Sequence, residues 1–368
     1  MNNIITAEYD IWEYLKNCGK KIVMYGMGTG ADKILAICEK KGIEISDFFA
    51  SDGFVRGHSF HGKTVLTYGE IKEKYSDFVV LLSFATSLPD VLETIDKIAS
   101  ETELLVPDVP VFGNTLFDID FCRKHIEDIE STAELFSDER SREVYKAVIN
   151  AKLTGKTELL NASVSEKSEV YSSILRPQKY TSYADLGAYN GDTVRELAEY
   201  AHNLKKVYAL EPDRRTFRKL SDYAENESRF KIYCHNCAAW DKSETLYFDG
   251  SGNRNSNVSG NSATLSGKKP VEINAVPLDE ILEDEKIDYI KYDVEGSEAE
   301  ALAGSAETIK KYSPDLLVSL YHRSEDVFAL PRLVKELGDY KLYLRRFRYY
   351  PAWDLNLYAI KNQKSFSG

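Results

Sequence analysis

A glycine-rich turn between a predicted strand and a predicted helix is the feature that most constrains this chain. The turn, Asp185-Leu-Gly-Ala-Tyr-Asn-Gly191, follows a predicted strand at 180–184 and precedes a predicted helix at 193–201. In open α/β sheets, nucleotide-like ligands bind where such a turn joins a strand to a helix. The turn therefore predicts an α/β fold with a ligand of this kind bound beside it.

The acidic residues near the turn indicate which ligand it suits. The pattern Asp-x-Gly-x-x-x-Gly differs from the Gly-x-Gly-x-x-Gly of dinucleotide-binding enzymes, and Asp185 would repel a pyrophosphate. S-adenosylmethionine has no phosphate and carries a cationic sulfonium and a cationic amine. Glu211 follows the next predicted strand, 206–210, at a spacing from which a carboxylate can accept both ribose hydroxyls. Together the two signals predict an S-adenosylmethionine site.

Two more predicted strands, 287–292 and 315–320, end near Asp293 and His322. The carboxyl ends of parallel strands meet at one edge of a sheet, so both side chains are expected beside the turn. S-adenosylmethionine is a methyl donor, and an alcohol that accepts the methyl group benefits from a base that takes its proton. Asp293 is the first candidate for this base, and His322 is the second. Asp293 could instead hold the methionine amine or brace the next turn, and His322 could be a hydrogen-bonded structural group.

A metal site is a further interpretation of the same region. Asp293, Glu295 and His322 offer two carboxylates and one imidazole, a set that suits a transition metal better than magnesium. The alternative is a purely structural role, in which Glu295 begins a helix, where an acid is favoured. The sequence-based prediction is that no metal is bound.

The sequence resembles the FkbM-type S-adenosylmethionine-dependent methyltransferases over roughly its last half. The resemblance is carried by the segments 185–193, 209–213, 287–298, 319–323, 330–331 and 340–345. It implies a class I methyltransferase domain, in which a Rossmann-like seven-stranded sheet has helices on both faces. It also implies methyl transfer, usually to oxygen, with S-adenosylhomocysteine as the product, and it leaves the acceptor open.

The predicted cofactor site combines the glycine turn with residues that follow neighbouring strands. Its members are Asp185, Gly187, Ala188, Tyr189, Asn190, Gly191, Thr193, Glu211, Pro212, Ala238, Ala239 and Asp293. Trp240 is expected either near the adenine or in the core. The polar loop at 250–267 is expected to be a lid or a hairpin tip without a role. Four arginines are expected either to clamp a phosphate of the acceptor or to form a solvated basic face. They are Arg323, Arg332, Arg345 and Arg346.

A second strand and glycine turn begin the chain. Gly26-Met-Gly-Thr-Gly-Ala31 follows a predicted strand at 20–25, and more strands are predicted at 47–50, 78–83 and 104–106. This unit is short for a full dinucleotide fold. It loosely resembles small amino-terminal domains that bind nucleotide-sugars in some bacterial sugar-modifying enzymes. Its glycines would serve either a site for the nucleotide or sugar end of a substrate, or only a tight turn in a packing or dimerisation domain.

A length of 368 residues predicts more than one domain. We expect a small Rossmann-like α/β domain at 1–112, a helical connector at 113–178 and a methyltransferase domain at 179–368. Within the connector, Ser137 is a candidate N-cap for a long helix. The segments 340–347 and 355–360 predict an antiparallel hairpin that closes the second sheet.

Composition restricts the partners. With 47 basic and 59 acidic residues the net charge is −12, which argues against nucleic-acid binding and against a polybasic membrane surface. The sequence predicts neither a membrane span nor a secretory signal. Five scattered cysteines indicate the reducing cytoplasm, and Cys234 and Cys237 are better explained as small buried side chains than as a redox or zinc pair.

These observations predict a cytoplasmic S-adenosylmethionine-dependent methyltransferase that O-methylates a sugar or glycan precursor. Its expected partner is a small-molecule or glycan acceptor, which can be nucleotide-linked, and a homodimer is compatible with the sequence. The alternative within the class is N-methylation of an amino-sugar, amino acid or peptide. Outside the class, the chain could be a nucleotide-dependent oxidoreductase that uses Gly26 to Ala31, or a non-catalytic nucleotide-sugar-binding module.

Overall fold

The computed structural model describes residues 3–55, 57–248, 258–259 and 271–362. It is an α/β structure in which a four-stranded sheet comes first in the chain and a seven-stranded sheet comes last. A series of helices lies between the two in sequence. The predicted α/β class, with a small amino-terminal unit ahead of a larger sheet, is confirmed.

The amino-terminal unit alternates strands with helices. Its strands are β1 (Lys21–Tyr25), β2 (Asp47–Phe49), β3 (Ser59–Phe60), β4 (Lys63–Thr64), β5 (Phe78–Leu82) and β6 (Glu103–Leu105). Its helices are α1 (Ile11–Asn17), α2 (Thr29–Lys41), α3 (Asp52–Val55), α4 (Tyr68–Lys74) and α5 (Pro89–Glu101). The sheet has the parallel order β2-β1-β5-β6. Because the chain leaves β1 towards one side and returns on the other at β5, the loops after these two strands diverge and open a crevice.

The helices of the middle segment are α6 (Ile119–Lys124), α7 (Ile126–Ala133), α8 (Glu139–Thr154), α9 (Thr157–Ala162) and α10 (Lys167–Glu169). A π-helical turn, Val170–Leu175, and a 3-10 turn, Pro177–Lys179, follow them. The N-cap of α8 is Asp138, whose carboxylate accepts the Ser141 N–H, and not the predicted Ser137. A carboxylate in this position satisfies an unpaired amide and complements the positive end of the helix.

The carboxyl-terminal part contains the larger sheet and its helices. The strands are β7 (Ser182–Leu186), β8 (Lys206–Leu210), β9 (Lys231–His235), β10 (Ala238–Ala239), β11 (Glu244–Phe248), β12 (Val258–Ser259), β13 (Val271–Val276), β14 (Tyr289–Tyr292), β15 (Asp315–Ser319), β16 (Tyr340–Arg346) and β17 (Leu355–Lys361). The helices are α11 (Asp192–Ala198), α12 (Arg214–Asn226), α13 (Leu278–Leu282), α14 (Glu298–Ala303), α15 (Ala306–Tyr312) and α16 (Asp326–Leu337).

The seven-stranded sheet has the order β16-β17-β15-β14-β7-β8-β9. β17 is antiparallel to both of its neighbours, so the predicted closing hairpin is confirmed. A smaller sheet of order β10-β13-β11-β12 lies beside it. The loop predicted as a lid or a hairpin tip, 250–267, falls outside the described residues except for 258–259, which pair with β11. In the larger sheet the direction of the chain reverses beside β7, which places a second crevice at its carboxyl end.

Helix α8 contacts the larger sheet at one end and the loop that follows β6 at the other. Ser141 Oγ on α8 accepts the N–H of Leu344 on β16 at 2.8 Å, while Lys152 near the other end of α8 forms a buried ion pair with Asp108 at 2.8 Å. These contacts agree with the predicted bridging role of the helices. The proposed domain boundaries at 112 and 178 stay a prediction.

Two arginines correct the prediction of either a phosphate clamp or a solvated basic face. Arg345 and Arg346 are 2% and 1% exposed, because the middle helices cover β16. Arg345 forms ion pairs with Asp138 and Glu169, both at 2.7 Å, and Arg346 donates to the Leu160 carbonyl at 2.9 Å. They therefore join the helices to the sheet and have no surface with which to bind an acceptor.

In the described part of the chain, no helix combines the length and the apolar composition that crossing a bilayer requires.

Candidate functional site

Four predicted site residues lie at the carboxyl edge of the seven-stranded sheet. Glu211 and Asp293 come directly after β8 and β14, and His322 comes three residues after β15 ends at Ser319. Asp185 was expected after its strand, but β7 extends to Leu186 and includes it. Its side chain is consequently 0% exposed and lies below the glycine turn.

A buried lysine, which the sequence reasoning missed, connects two of the acids. Lys291 pairs across the sheet with Asp185, and its Nζ lies 3.3 Å from Asp185 Oδ1 and 3.4 Å from Asp293 Oδ2. It also donates to the Gly187 carbonyl at 3.4 Å. Burial raises the pKa of Asp185 despite the opposing effects of Lys291 and Thr193. Because Lys291 offsets its charge, Asp185 repels a phosphate less than the sequence argument assumed.

The glycine turn is shaped by close backbone contacts. Gly187 has φ +86°, and a Cβ there would lie 2.0 Å from the Asp293 carbonyl oxygen. Gly191, at φ +83°, has the Tyr223 ring 2.5 Å from its Cβ position. Both amides at 187 and 188 donate to the Leu210 carbonyl. Glycine is required at 187 because the turn and the end of β14 touch through their backbones.

Glu211 closes the other side of the turn. Its carboxylate accepts the Tyr189 N–H at 2.9 Å and the Asp213 N–H at 2.8 Å. Burial raises its pKa to about 7, although these two backbone amides act in the opposite direction. Its side chain is thereby held at the end of β8 beside Tyr189 of the turn, as the sequence spacing predicts.

Other predicted cofactor residues surround the turn. Asn190 Oδ1 is buried and has no hydrogen-bond partner among the described residues. Thr193 Oγ1 donates to Asp185, and Ala188 is 0% exposed. Pro212 follows Glu211, and its carbonyl accepts from Asn236. The set is therefore contiguous, with Asn190 offering an acceptor atom that no described residue uses.

Ala238, Ala239 and Trp240 lie along a neighbouring edge. The two alanines form β10 and are buried. Trp240 packs with the small cluster around Leu246 and donates from Nε1 to Glu244 at 2.8 Å. The Trp240 carbonyl lies 1.9 Å from where a Gly304 Cβ would be, so the residue also braces the end of α14. These contacts favour the packing role of Trp240.

Asp293 is a partly exposed acid that lies between the turn and a buried histidine. Its side chain is 30% exposed, and Oδ1 accepts the Tyr321 hydroxyl at 2.9 Å. Burial disfavours its charge, but Lys291 and His322 outweigh that effect and lower its pKa to about 2. Asp293 is therefore a carboxylate at any physiological pH, which makes it a good hydrogen-bond acceptor and a weak base.

His322 lies beneath Asp293 with no exposed surface. Its Nδ1 is 2.9 Å from Glu298 Oε1, and its Nε2 is 3.7 Å from Asp293 Oδ1 and 3.6 Å from Glu295 Oε2. Burial alone would lower the pKa of His322, but the nearby carboxylates of Glu298, Asp293 and Glu295 have the larger effect and raise it to about 10. Glu298, which is 1% exposed, was missed by the sequence reasoning, although it lies in the quoted Asp-Val-Glu-Gly-Ser-Glu motif.

The remaining arginines of the predicted clamp have structural partners. Arg323 donates from Nε to the Gly296 carbonyl at 2.6 Å and lies over the Phe112 ring at 4.2 Å. Arg332 pairs with Asp128. Neither contact places a guanidinium beside the glycine turn.

The surroundings of Cys234 and Cys237 agree with their interpretation as small buried side chains. Cys237 is buried, Cys234 is partly buried and both are free thiols. Burial raises their pKa values to about 12 and about 11 respectively. Thiols of this kind are poor nucleophiles and poor metal ligands.

The amino-terminal glycine turn differs from the second one in its surroundings. A cavity of about 220 Å³ lies at the ends of β1 and β5, lined by Gly28, Lys33, Phe84 and Trp353 among others. In the described part of the chain its lining contains no carboxylate. Burial lowers the pKa of Lys33, whose Nζ donates to the Pro110 carbonyl at 2.9 Å. Whole-ligand sites usually measure about 300–1,000 Å³, so this cavity fits part of a ligand better than a dinucleotide.

The aromatic residues between the two turns form a connected row. Trp353, which lines the amino-terminal cavity, lies 6.1 Å from Tyr321 and 5.7 Å from Tyr349 by ring centroids. Tyr321 in turn donates to Asp293. The row therefore connects the cavity to the acidic edge of the larger sheet.

A seven-stranded sheet with a glycine turn and strand-end acids defines a class I methyltransferase fold. Within that class, residues 185–349 match the sequence model of the family described as Methyltransferase FkbM domain. This part of the chain is an FkbM methyltransferase domain, and the match supports methyl transfer as its reaction class. The resemblance inferred from the sequence motifs is confirmed.

Solved structures extend the comparison to the whole fold. Methyltransferase FkbM from Methylobacillus flagellatus KT is 21% identical, with coverage of 98% of this chain and 95% of that chain and a TM-score of 0.71. The two chains therefore share their architecture, the amino-terminal sheet included.

More distant matches align with only part of the chain. Fibrillarin from Aeropyrum pernix, in complex with natively bound S-adenosyl-L-methionine, is 12% identical over 50% of this chain and 68% of that chain, with a TM-score of 0.33. Precorrin-6y C5,15-methyltransferase from Geobacter metallireducens GS-15 is 13% identical over 56% and 89%, with the same TM-score. Scores this low add nothing about function. No curated protein matches the chain in sequence.

Proposed function

We propose that this chain transfers a methyl group from S-adenosylmethionine to a hydroxyl of a sugar or glycan precursor. The observation that carries the proposal is the convergence of Glu211, Asn190 and Asp293 around the second glycine turn. Each lies at the carboxyl edge of the seven-stranded sheet, where open α/β sheets bind their ligands.

The residues of the turn fit this cofactor. Glu211 has the geometry of a carboxylate that accepts ribose hydroxyls, since it is buried at the end of β8. Asn190 Oδ1 is a buried acceptor to which no residue in the described part of the chain donates, which suits the cationic amine. When bound, the cofactor supplies an activated methyl group on a cationic sulfur. The work left to the protein is to align the acceptor and to exclude water.

Asp293 and His322 would divide the acceptor's needs between them. Asp293 is partly exposed, so its carboxylate can accept a hydrogen bond from the hydroxyl group of the methyl acceptor and orient that group's oxygen. His322 has no exposed surface and would act through Asp293 as a positioning residue. Its proximity to Asp293 helps to keep that carboxylate charged.

The weak basicity of Asp293 also favours a second candidate, N-methylation of an amino-sugar, amino acid or peptide. A neutral amine needs less help from a base than a hydroxyl does. Asp293→Asn separates the two, because we expect it to reduce O-methylation by about 100-fold in kcat and to leave N-methylation within a few fold. Turnover of each acceptor class by the purified variant is the measurement.

The aromatic row supports a sugar as the acceptor. Tyr321, Trp353 and Tyr349 present flat apolar faces with polar edges, which suits the mixed surface of a sugar ring. The amino-terminal cavity adjoins Trp353 and is lined by one cation, Lys33. We propose that it holds the nucleotide or sugar end of the acceptor. The five free cysteines support a cytoplasmic setting.

Calorimetric titration with S-adenosylhomocysteine tests the central claim. We expect micromolar binding by the intact chain and a loss of about 100-fold in Glu211→Ala, because the ribose loses its acceptor. NAD is titrated in parallel, with Gly28→Asp as its control variant. NAD binding that Gly28→Asp abolishes, without S-adenosylhomocysteine binding, would favour the oxidoreductase alternative instead. Cofactor binding without turnover on any acceptor would favour the non-catalytic module.

A further inference from the structure

A buried histidine lies among three carboxylates beside the second glycine turn. His322 is 0% exposed, its Nδ1 forms a close ion pair with Glu298 Oε1 at 2.9 Å, and its Nε2 makes no hydrogen bond to any described residue. Buried polar groups in proteins are almost always hydrogen-bonded or bound to an ion. An imidazole with carboxylate oxygens this close can bind a metal ion through Nε2 once it releases its proton.

The neighbouring acids complete a ligand set. Asp293, Glu298 and His322 each offer one ligand atom within 4.8 Å of the others. Ligand atoms on one cation lie about 2.0–2.3 Å from it, so a modest inward movement would bring all three into contact. Glu298 also has a buried oxygen, Oε2, with no hydrogen-bond partner among the described residues. We propose that these three residues bind one divalent metal ion.

The local charge favours a cation. Asp293, Glu295 and Glu298 all lie close to His322. Lys291 is shared between Asp293 and Asp185, and Arg323 donates its Nε–H to a backbone carbonyl. Carboxylates therefore outnumber the basic side chains that these contacts provide, and a divalent ion would balance them.

The donor atoms indicate which ion binds. One imidazole nitrogen with two carboxylates suits manganese, iron or zinc, whereas magnesium and calcium prefer oxygen ligands alone. The set differs from the sequence hypothesis, in which Glu295 was the third ligand, because Glu298 is buried against the imidazole while Glu295 is 44% exposed. It also departs from the sequence-based prediction of no metal.

The site has one open side. The Asp293 side chain is 30% exposed, and the aromatic row begins at its partner Tyr321. A metal at this point could polarise an acceptor oxygen and lower its pKa, which would relieve the weak basicity of Asp293. That role rests on the proposed function, whereas binding of the metal itself does not.

Titration of the intact chain with MnCl2, after dialysis against a chelator, tests the site. We expect one ion per chain with micromolar affinity, measured by calorimetry and by the loss of the free Mn²⁺ signal in electron paramagnetic resonance. Asp293→Asn should weaken binding at least tenfold, because it removes one charged ligand. Glu300→Gln, on α14 but outside the cluster, is the matched control and should bind as the parent chain does.

His322→Gln should weaken Mn²⁺ binding more than Asp293→Asn does, and circular dichroism checks that the variant is folded. If it does not fold, Asp293→Asn decides the test, since that side chain is partly exposed. Failure to bind Mn²⁺ or Zn²⁺ at about millimolar concentration, or equal binding by Asp293→Asn and the parent chain, would overturn the proposal. S-adenosylhomocysteine is titrated on the same samples. Cofactor binding without metal binding would refute only the metal site, and the reverse result would refute only the cofactor proposal.

Discussion

The chain contains two strand–glycine turn–helix units whose linings have opposite character. The second turn, beside β7, lies between Glu211 and the Lys291-linked pair of Asp185 and Asp293. The first, beside β1, borders a cavity whose lining has Lys33 and no carboxylate among the described residues. The same backbone motif therefore presents acids in one place and a cation with apolar groups in the other. The lining side chains, and not the motif, decide what each turn can bind.

One glycine in each turn is required by close backbone packing, whereas Gly28 is not. At 187 the turn touches the end of the neighbouring strand, with the Asp293 carbonyl 2.0 Å from a Cβ position. At 30 the helix lies equally close to β5, with the Ser83 carbonyl 2.2 Å from a Cβ position. Gly28, in contrast, has nothing within 4 Å of its Cβ position. Close packing explains Gly30 and Gly187 but does not explain Gly28, which lines the cavity.

The largest expected effect is that of Gly187→Ala. The new methyl group would collide with backbone, and φ +86° is unfavourable for alanine. We expect a loss of about 3 kcal/mol in the free energy of unfolding, measured by urea denaturation. Gly28→Ala is the matched control and should cost less than about 1 kcal/mol, because its Cβ position is open. Equal losses at the two positions would contradict the contrast drawn between the turns.

The second prediction concerns the pH dependence of cofactor binding at the acidic turn. Glu211 has a pKa of about 7 in the folded chain without ligand. Ribose hydroxyls need the ionised carboxylate, so the affinity for S-adenosylhomocysteine should fall up to about tenfold per pH unit below 7. Calorimetry across this range measures the slope, and Glu211→Gln should flatten it. A flat profile for the parent chain would remove Glu211 from the ribose site.

The same residue should affect stability in the opposite direction. Its folded-state pKa lies above its ordinary value of 4.5, so its contribution to folding is fully present below 4.5 and is lost as the pH rises through about 7. The difference corresponds to at most about 3 kcal/mol. The acid is thus held in its buried position at the expense of stability, which is typical of functional groups.

The smallest expected effect is at the amino-terminal cavity. Gly28→Asp would place a carboxylate at the lining beside Lys33. For an acceptor with a phosphate, we expect binding of a uridine diphosphate sugar to weaken about tenfold, with S-adenosylhomocysteine affinity unchanged. Gly53→Asp adds the same charge outside the cavity lining and should have no effect. If the sugar nucleotide does not bind, or binds equally to both variants, the cavity is not its site.

Sequence reasoning placed the strands well because their residues are continuous apolar runs. β5 is Phe-Val-Val-Leu-Leu and is buried throughout, and β1 is buried except at its first residue. The acids that follow β8 and β14 were identified for the same reason, since a strand's end is visible where its apolar run stops. Asp185 was predicted in the turn but lies within β7, because a charged residue inside a buried strand interrupts the apolar run.

The missed residues share a physical cause. Lys291 and Glu298 are charged and buried, and each is tolerated only because a partner distant in sequence neutralises it. Arg345 and Arg346 were expected in an acceptor clamp or on a solvated basic face, yet Asp138 and Leu160, in the middle segment, hold them in the interior. Such partnerships are not visible in local sequence patterns.

The sequence by itself determined the α/β class, the two glycine turns, the methyltransferase family and the acids at the strand ends. Periodicity, glycine spacing and short motifs act over a few residues, so they can be recognised without knowledge of the fold. Only the tertiary structure decided that Lys291 joins Asp185 to Asp293, that His322 lies buried against Glu298, and that an aromatic row connects the two crevices. These are contacts between residues far apart in the chain, and burial and charge pairing at such contacts depend on how the sheets and helices pack.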